Sequence, residues 1–350
     1  MFAISECGVF FMQMLNVYGR LTTKKVDVYK MIKRELNKIP LSISGLALGT
    51  AGAGNLIASY GEIYKYTLGS LSAFILLCLL LKLGTNYKEF FRDLNKPLVL
   101  DTVVFIPMSI MILLTYVHIY SKTTTFVIWI LAILIIFALM FYHAKLYLFS
   151  NFSISNVFPS TIVVYVGICL SSVTSPVFGA ERLGQFIFWF AFVSFVVITP
   201  VIAYRVFVRS IDDAIKPTMA ILIAPGCMTL TGYLSSFKNP KVFFVSALLI
   251  LSFMIYIIVL LYLLKFVHLH PVKVLKEDLY TRYSALTFPL VISAISLNKC
   301  MHYYSSLNMT LNIPLEALKN ITVGSTAIAI LVVIYVVILY VLGMYKMYAK

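Results

Sequence analysis

The chain has little charge. Only 12% of its 350 residues are Asp, Glu, Lys or Arg, about half the share of an average soluble domain. Acids are scarcest, with 13 Asp and Glu against 28 Lys and Arg. No paired-acid site, Ser/His/Asp set or phosphate loop stands out, which argues against an enzyme and against any cofactor. The five cysteines, Cys7, Cys78, Cys169, Cys227 and Cys300, are scattered. They show neither metal spacing nor a disulfide framework, and read as small buried hydrophobes. His268 and His270 stand close together in a loop, but two histidines alone make a poor metal site. Residues 1–19 are apolar, yet no basic stretch precedes them, so they make a poor signal peptide. Period-two alternation is missing from the apolar runs, which excludes a β-barrel.

What is abundant is apolar surface. Hydrophobic residues make up 61% of the chain, and the mean hydropathy is +0.97. A soluble fold of this size cannot hide so much of it, so lipid must be the solvent for a large part. Apolar spans fall at 40–59, 64–83, 98–118, 123–144, 157–175, 184–206, 217–235, 241–266, 283–303 and 321–345. Each is near the roughly 20 residues that cross about 30 Å of hydrocarbon. The reading is an all-α integral membrane protein of ten transmembrane helices.

The basic residues set its orientation. With the N-terminus inside, 21 of the 28 Lys and Arg fall on one side and 7 on the other. This asymmetry predicts both termini in the cytoplasm of a multi-pass plasma-membrane protein. It also accounts for the net charge of +15 without a nucleic-acid partner. Residues 1–38 form a basic cytoplasmic segment, and 39–346 the ten-helix domain. A start at Met31 would leave a short basic lead into the first span.

Prolines recur in the odd-numbered spans. Pro40, Pro107, Pro159, Pro225 and Pro289 are spaced by 67, 52, 66 and 64 residues. Among the even spans only the sixth carries one well inside, Pro200. The odd spans are rich in Gly, Ser, Thr and Ala, whereas the fourth and eighth are bulky on every face. Small residues permit close helix approach or line a narrow opening. Bulky helices suit lipid contact. A proline inside a helix frees a carbonyl that needs a partner in the membrane. The pattern predicts five hairpins in series, with odd helices as an inner pore ring kinked at these prolines and even helices as an outer ring.

The segments Ile39-Pro40-Leu41, Ile106-Pro107, Pro200-Val201, Thr218 to Pro225 and Thr287-Phe288-Pro289-Leu290 resemble the tellurite-resistance/dicarboxylate transporter family. That family includes TehA-type channels and plant slow anion channels. The resemblance covers about residues 38–345. It implies five hairpins around a pore, a homotrimer with one pore per subunit, and a pore gate at Phe288. Lys299 resembles a lysine of the plant and fungal branches, and the long regulatory tails of the plant channels have no counterpart here. Pore-lining candidates are Ser42, Gly45, Gly49, Ser160, Gly167, Thr229, Thr287 and Ser293. Lys299 would attract anions. Asp101, the one acid well inside an odd span, has two readings: an acid favoured near a helix N-terminus, or a proton relay. The expectation is a passive anion channel for chloride, nitrate or sulfite-like anions. The alternative is a proton-coupled carrier for malate-like dicarboxylates or sulfite.

Overall fold

A computed structural model of the protein describes residues 25–150, 153–208, 215–269, 281–307 and 315–349. The two chain ends, including Cys7, and His270 lie outside the described residues. In chain order the main helices are α1 (Lys25–Lys38), α2 (Ile43–Leu56), α3 (Glu62–Thr85) and α4 (Pro97–Val117). They continue with α5 (Lys122–Ser150), α6 (Thr161–Val166), α7 (Cys169–Thr174) and α8 (Glu181–Val208). The last four are α9 (Lys216–Ser236), α10 (Val242–Leu269), α11 (Ser284–Ser306) and α12 (Leu315–Ala349). Among the described residues, eight helices are long and apolar enough to cross a membrane, namely α3, α4, α5 and α8 to α12. The protein is an α-helical multi-pass membrane protein.

Two expected spans take a different form. The first is α2, a helix of 14 residues, about 21 Å long at 1.5 Å per residue. The fifth is divided at Gly167 into α6 and α7, and closes in a 3₁₀ turn over Ser175–Phe178. A hydropathy window cannot register such a break, because the residues flanking it are as apolar as those in an unbroken helix. The prolines also act differently from expectation. Pro40 and Pro159 stand ahead of α2 and α6, and Pro225 sits in the first turn where α9 passes from 3₁₀ to α geometry. Pro107 lies just past the irregularity at Val104. Only Pro289 is well inside its helix. Proline lacks an N–H that a first turn would leave unpaired anyway, so four of the five mark helix starts rather than kinks.

Burial divides the helices into two sets. In α4, α9 and α11 the apolar windows are 67%, 83% and 67% buried. In α3, α5, α8, α10 and α12 the figures run from 17% to 33%. Every residue of α2 except Asn55 is buried. The buried set packs in a closed cycle, α2 on α4, α4 on α6 and α7, α7 on α9, α9 on α11, and α11 on α2. Each exposed helix covers one to three members of that cycle. Nor are the exposed helices uniform. On α5 the stripe Trp129, Ile133, Ile136 and Met140 is buried, and the Trp129 indole donates to Thr174 Oγ1 at 2.9 Å.

The contact between α11 and α2 rests on missing side chains. A Cβ at Gly49 would lie 2.5 Å from Thr287 Cβ, and one at Gly52 would lie 3.0 Å from Val291 Cγ1. Thr287 Oγ1 donates across the contact to the Gly45 carbonyl at 3.0 Å. At the other face of α2, Tyr116 of α4 donates to the Ala51 carbonyl at 2.5 Å. Near the start of α2, Lys82 of α3 donates to the carbonyls of Asn37, at 3.2 Å, and Ile39. It thereby ties down the end of α1 ahead of Pro40. Ahead of α4, Lys96 lies 2.9 Å from Asp93 and holds that carboxyl below its ordinary range.

Candidate functional site

The five proline-bearing segments converge on one small cavity. Its walls are Gly45 of α2, Phe105 and Met108 of α4, Val163 of α6, Ile221, Ala224 and Met228 of α9, and Ser284, Ala285, Phe288 and Pro289 of α11. Every lining residue lies within five positions of its segment's proline. The prolines therefore mark the level of this cavity in all five segments. The free volume is about 10 Å³, room for roughly one water molecule.

Phe288 forms part of the wall of this space. It directly precedes Pro289 and is 3% exposed. A Cβ at Gly52 would come 3.6 Å from its ring carbons, so the bare backbone of α2 leaves room for the ring. No charged side chain reaches the cavity, and Ser284 is the one polar side chain among the lining residues. An ion there would have to shed water without receiving strong ligands, as at a hydrophobic constriction.

Lys299 lies eleven residues beyond Phe288 on α11. Eleven residues are close to three helical turns, which puts both residues on the same face about 16 Å apart along the axis. Lys299 has no ion-pair partner among the described residues.

Residues 38–341 match the voltage-dependent anion channel family. The chain belongs to that family. This is the family to which the Pro40, Pro107, Pro225 and Phe288-Pro289 segments pointed. Membership in the voltage-dependent anion channel family places the chain among membrane anion channels and transporters, which are not enzymes. No curated protein matches the chain.

Within this family member, the lining candidates read from sequence mostly turn elsewhere. Of the eight, only Gly45 lines the cavity. Ser42 faces Tyr340 of α12 at 3.3 Å, and Gly49 is covered by Thr287. Ser160 donates to Asp101 Oδ2 at 2.6 Å. A Cβ at Gly167 would lie 2.9 Å from Met108 Sδ. Thr229 is buried and donates to the Gly226 carbonyl at 2.8 Å. Ser293 borders a separate cavity on the far side of α11. Small residues here mainly bring helices together.

Asp101 does not line the cavity either. It is fully buried where α4, α5 and α6 meet, and Thr161 Oγ1 adds a second donor to Oδ2 at 3.2 Å. Its other oxygen, Oδ1, faces His143 Nε2 of α5 at 3.6 Å, and neither atom has a hydrogen-bond partner among the described residues. His143 Nδ1 meets the Tyr165 hydroxyl at 2.9 Å. A second polar group joins α7, α8 and α9. Ser236 Oγ donates to the Ser172 carbonyl at 2.7 Å, and Gln185 donates to the Ser236 carbonyl at 2.8 Å. The sequence reading singled out Asp101 and Ser160 but not their meeting with His143, and it missed the second group, since the members are scattered along the chain. Apart from Phe288 and Pro289, the apolar lining residues were missed too, although counting outward from each proline would have located them.

Proposed function

We propose that this protein is a passive anion channel whose path runs between the five buried segments and is closed at Phe288. The observation that carries this reading is the convergence of all five proline-bearing segments on a space of about 10 Å³ beside the Phe288 ring. In the reading, α2 and the α6–α7 segment cross together with the eight long helices. That gives ten crossings in five hairpins, with the buried cycle as pore ring and the exposed helices around it. Both termini lie in the cytoplasm of the plasma membrane, residues 1–38 precede the channel domain 39–346, and the assembly is a homotrimer. The basic asymmetry supports the orientation. The cargo is a small anion such as chloride, nitrate or sulfite. Lys299, on the Phe288 face of α11 and without an ion-pair partner among the described residues, supplies attraction toward the path. An uncharged constriction supplies selection by dehydration.

A second reading is a proton-coupled carrier for malate-like dicarboxylates or sulfite. The juxtaposition of Asp101 Oδ1 and His143 Nε2 favours it, because a proton can be held between two buried atoms that lack other partners among the described residues. Asp101→Asn separates the two. The amide keeps an oxygen for Ser160 and Thr161 and offers an N–H to His143, so stability should change by only about 1 kcal/mol. In reconstituted vesicles under a chloride gradient, the channel reading expects anion flux linear in driving force, without proton movement, and equal in wild type and Asp101→Asn. Saturable anion uptake with stoichiometric proton movement, abolished by Asp101→Asn, would replace the channel with the carrier.

A further inference from the structure

A second and larger cavity lies outside the pore ring. Its volume is about 300 Å³, at the lower end of the roughly 300–1,000 Å³ typical of small-molecule sites. The inner wall is formed by Cys227 of α9 and by Ser293 and Ser296 of α11. The flanks are α10 and α12, which pack inward on α9 and on α11 and α2 but have no substantial contact with each other. The mouth between them is bordered by outward-facing apolar side chains such as Phe253 and Ile328. Whatever enters comes from the hydrocarbon.

Two features of the lining define the occupant. Tyr256 of α10 and Ser325 of α12 both border the cavity, and their hydroxyls have no hydrogen-bond partner among the described residues. Tyr256 lies at the middle of its helix, at a depth where water is scarce and an unpaired hydroxyl is costly. Ser252, Ser293 and Ser296 already donate to carbonyls of their own helices, which leaves their oxygens as acceptors only. The rest of the lining is mainly apolar. At Gly324 nothing lies within 4 Å of where a Cβ would be, so glycine keeps the α12 side open.

We infer that this cavity binds a membrane-dissolved amphiphile with an apolar body and a single hydroxyl, an alcohol or phenol, held by Tyr256 and Ser325. A lipid acyl chain fills the apolar volume but leaves both hydroxyls unpaired. A neighbouring subunit pressed on α10 and α12 would shut the mouth.

The test is photolabelling of the full-length protein in phosphatidylcholine vesicles with azioctanol, with adducts mapped by mass spectrometry. The expected result is saturable labelling of Tyr256 and nearby residues of α10 and α12. Octanol should compete about fivefold better than octane, the usual worth of one neutral hydrogen bond. Tyr256→Phe should narrow that difference, and Gly324→Phe, which fills the cavity, should lower labelling about tenfold with an unchanged melting temperature. Equal competition by octane would assign the cavity to acyl chains. Labelling that is absent, does not saturate or is indifferent to Gly324→Phe would also overturn the proposal. None of these readouts requires current, so they stand apart from the channel reading.

Discussion

Phe288→Ala should raise anion conductance in planar bilayers about tenfold or more, the equivalent of removing roughly 1.4 kcal/mol or more from the barrier. The ring borders a space with room for about one water, and the side chains lining it are uncharged. Truncating it joins its own volume to that space and lets water accompany the ion, which removes much of the dehydration cost. A buried Phe→Ala change costs about 3–5 kcal/mol of stability in a dry core. Water entering the enlarged space should reduce that figure here. Current should therefore rise while the melting temperature falls modestly. Phe288→Leu should lie between wild type and alanine in both respects. A Phe288→Ala protein that remains as silent as wild type, yet stays folded, would show that the ring is packing rather than plug.

The second large effect concerns the closure of the buried cycle. Gly49→Leu should destabilise the protein by about 3 kcal/mol or more, at the upper end for overpacking. The new Cβ would lie 2.5 Å from Thr287 Cβ, so α2 and α11 must move apart, and the Thr287 bond to the Gly45 carbonyl is lost. Gly324→Ala is the matched control. Nothing stands near its Cβ, and alanine gains up to about 1 kcal/mol of helix propensity over glycine. Melting temperatures in detergent should therefore fall sharply for Gly49→Leu and hold or rise for Gly324→Ala. Similar values for the two variants would contradict the α2–α11 packing.

The proline rhythm and the contrast in texture were legible signals of how the segments divide by burial. They separated a buried set of segments from an exposed set, and the burial of α9 against α10 agrees. The same signals misled at finer scale. Gly49 and Gly167 are small for close packing on Thr287 and Met108, whereas composition alone fits a pore wall equally well. Helical phase decides between these roles, and a run such as α2, apolar on all sides, contains no phase signal. Pro40 and Pro159 were expected as kinks because apolar runs conceal helix starts. The meeting of Asp101 and His143 joins residues 42 positions apart, and no local pattern announces it.

In the proposed channel, anions pass between the five segments at the level of Phe288. The most direct test places a cysteine at Met228, in the wall of the cavity, in the Phe288→Ala background, and applies an anionic methanethiosulfonate during recording. Current should stop and return on reduction, while Phe288→Ala with only its native cysteines keeps conducting. Current that persists unchanged after complete modification of the introduced thiol would place the path elsewhere.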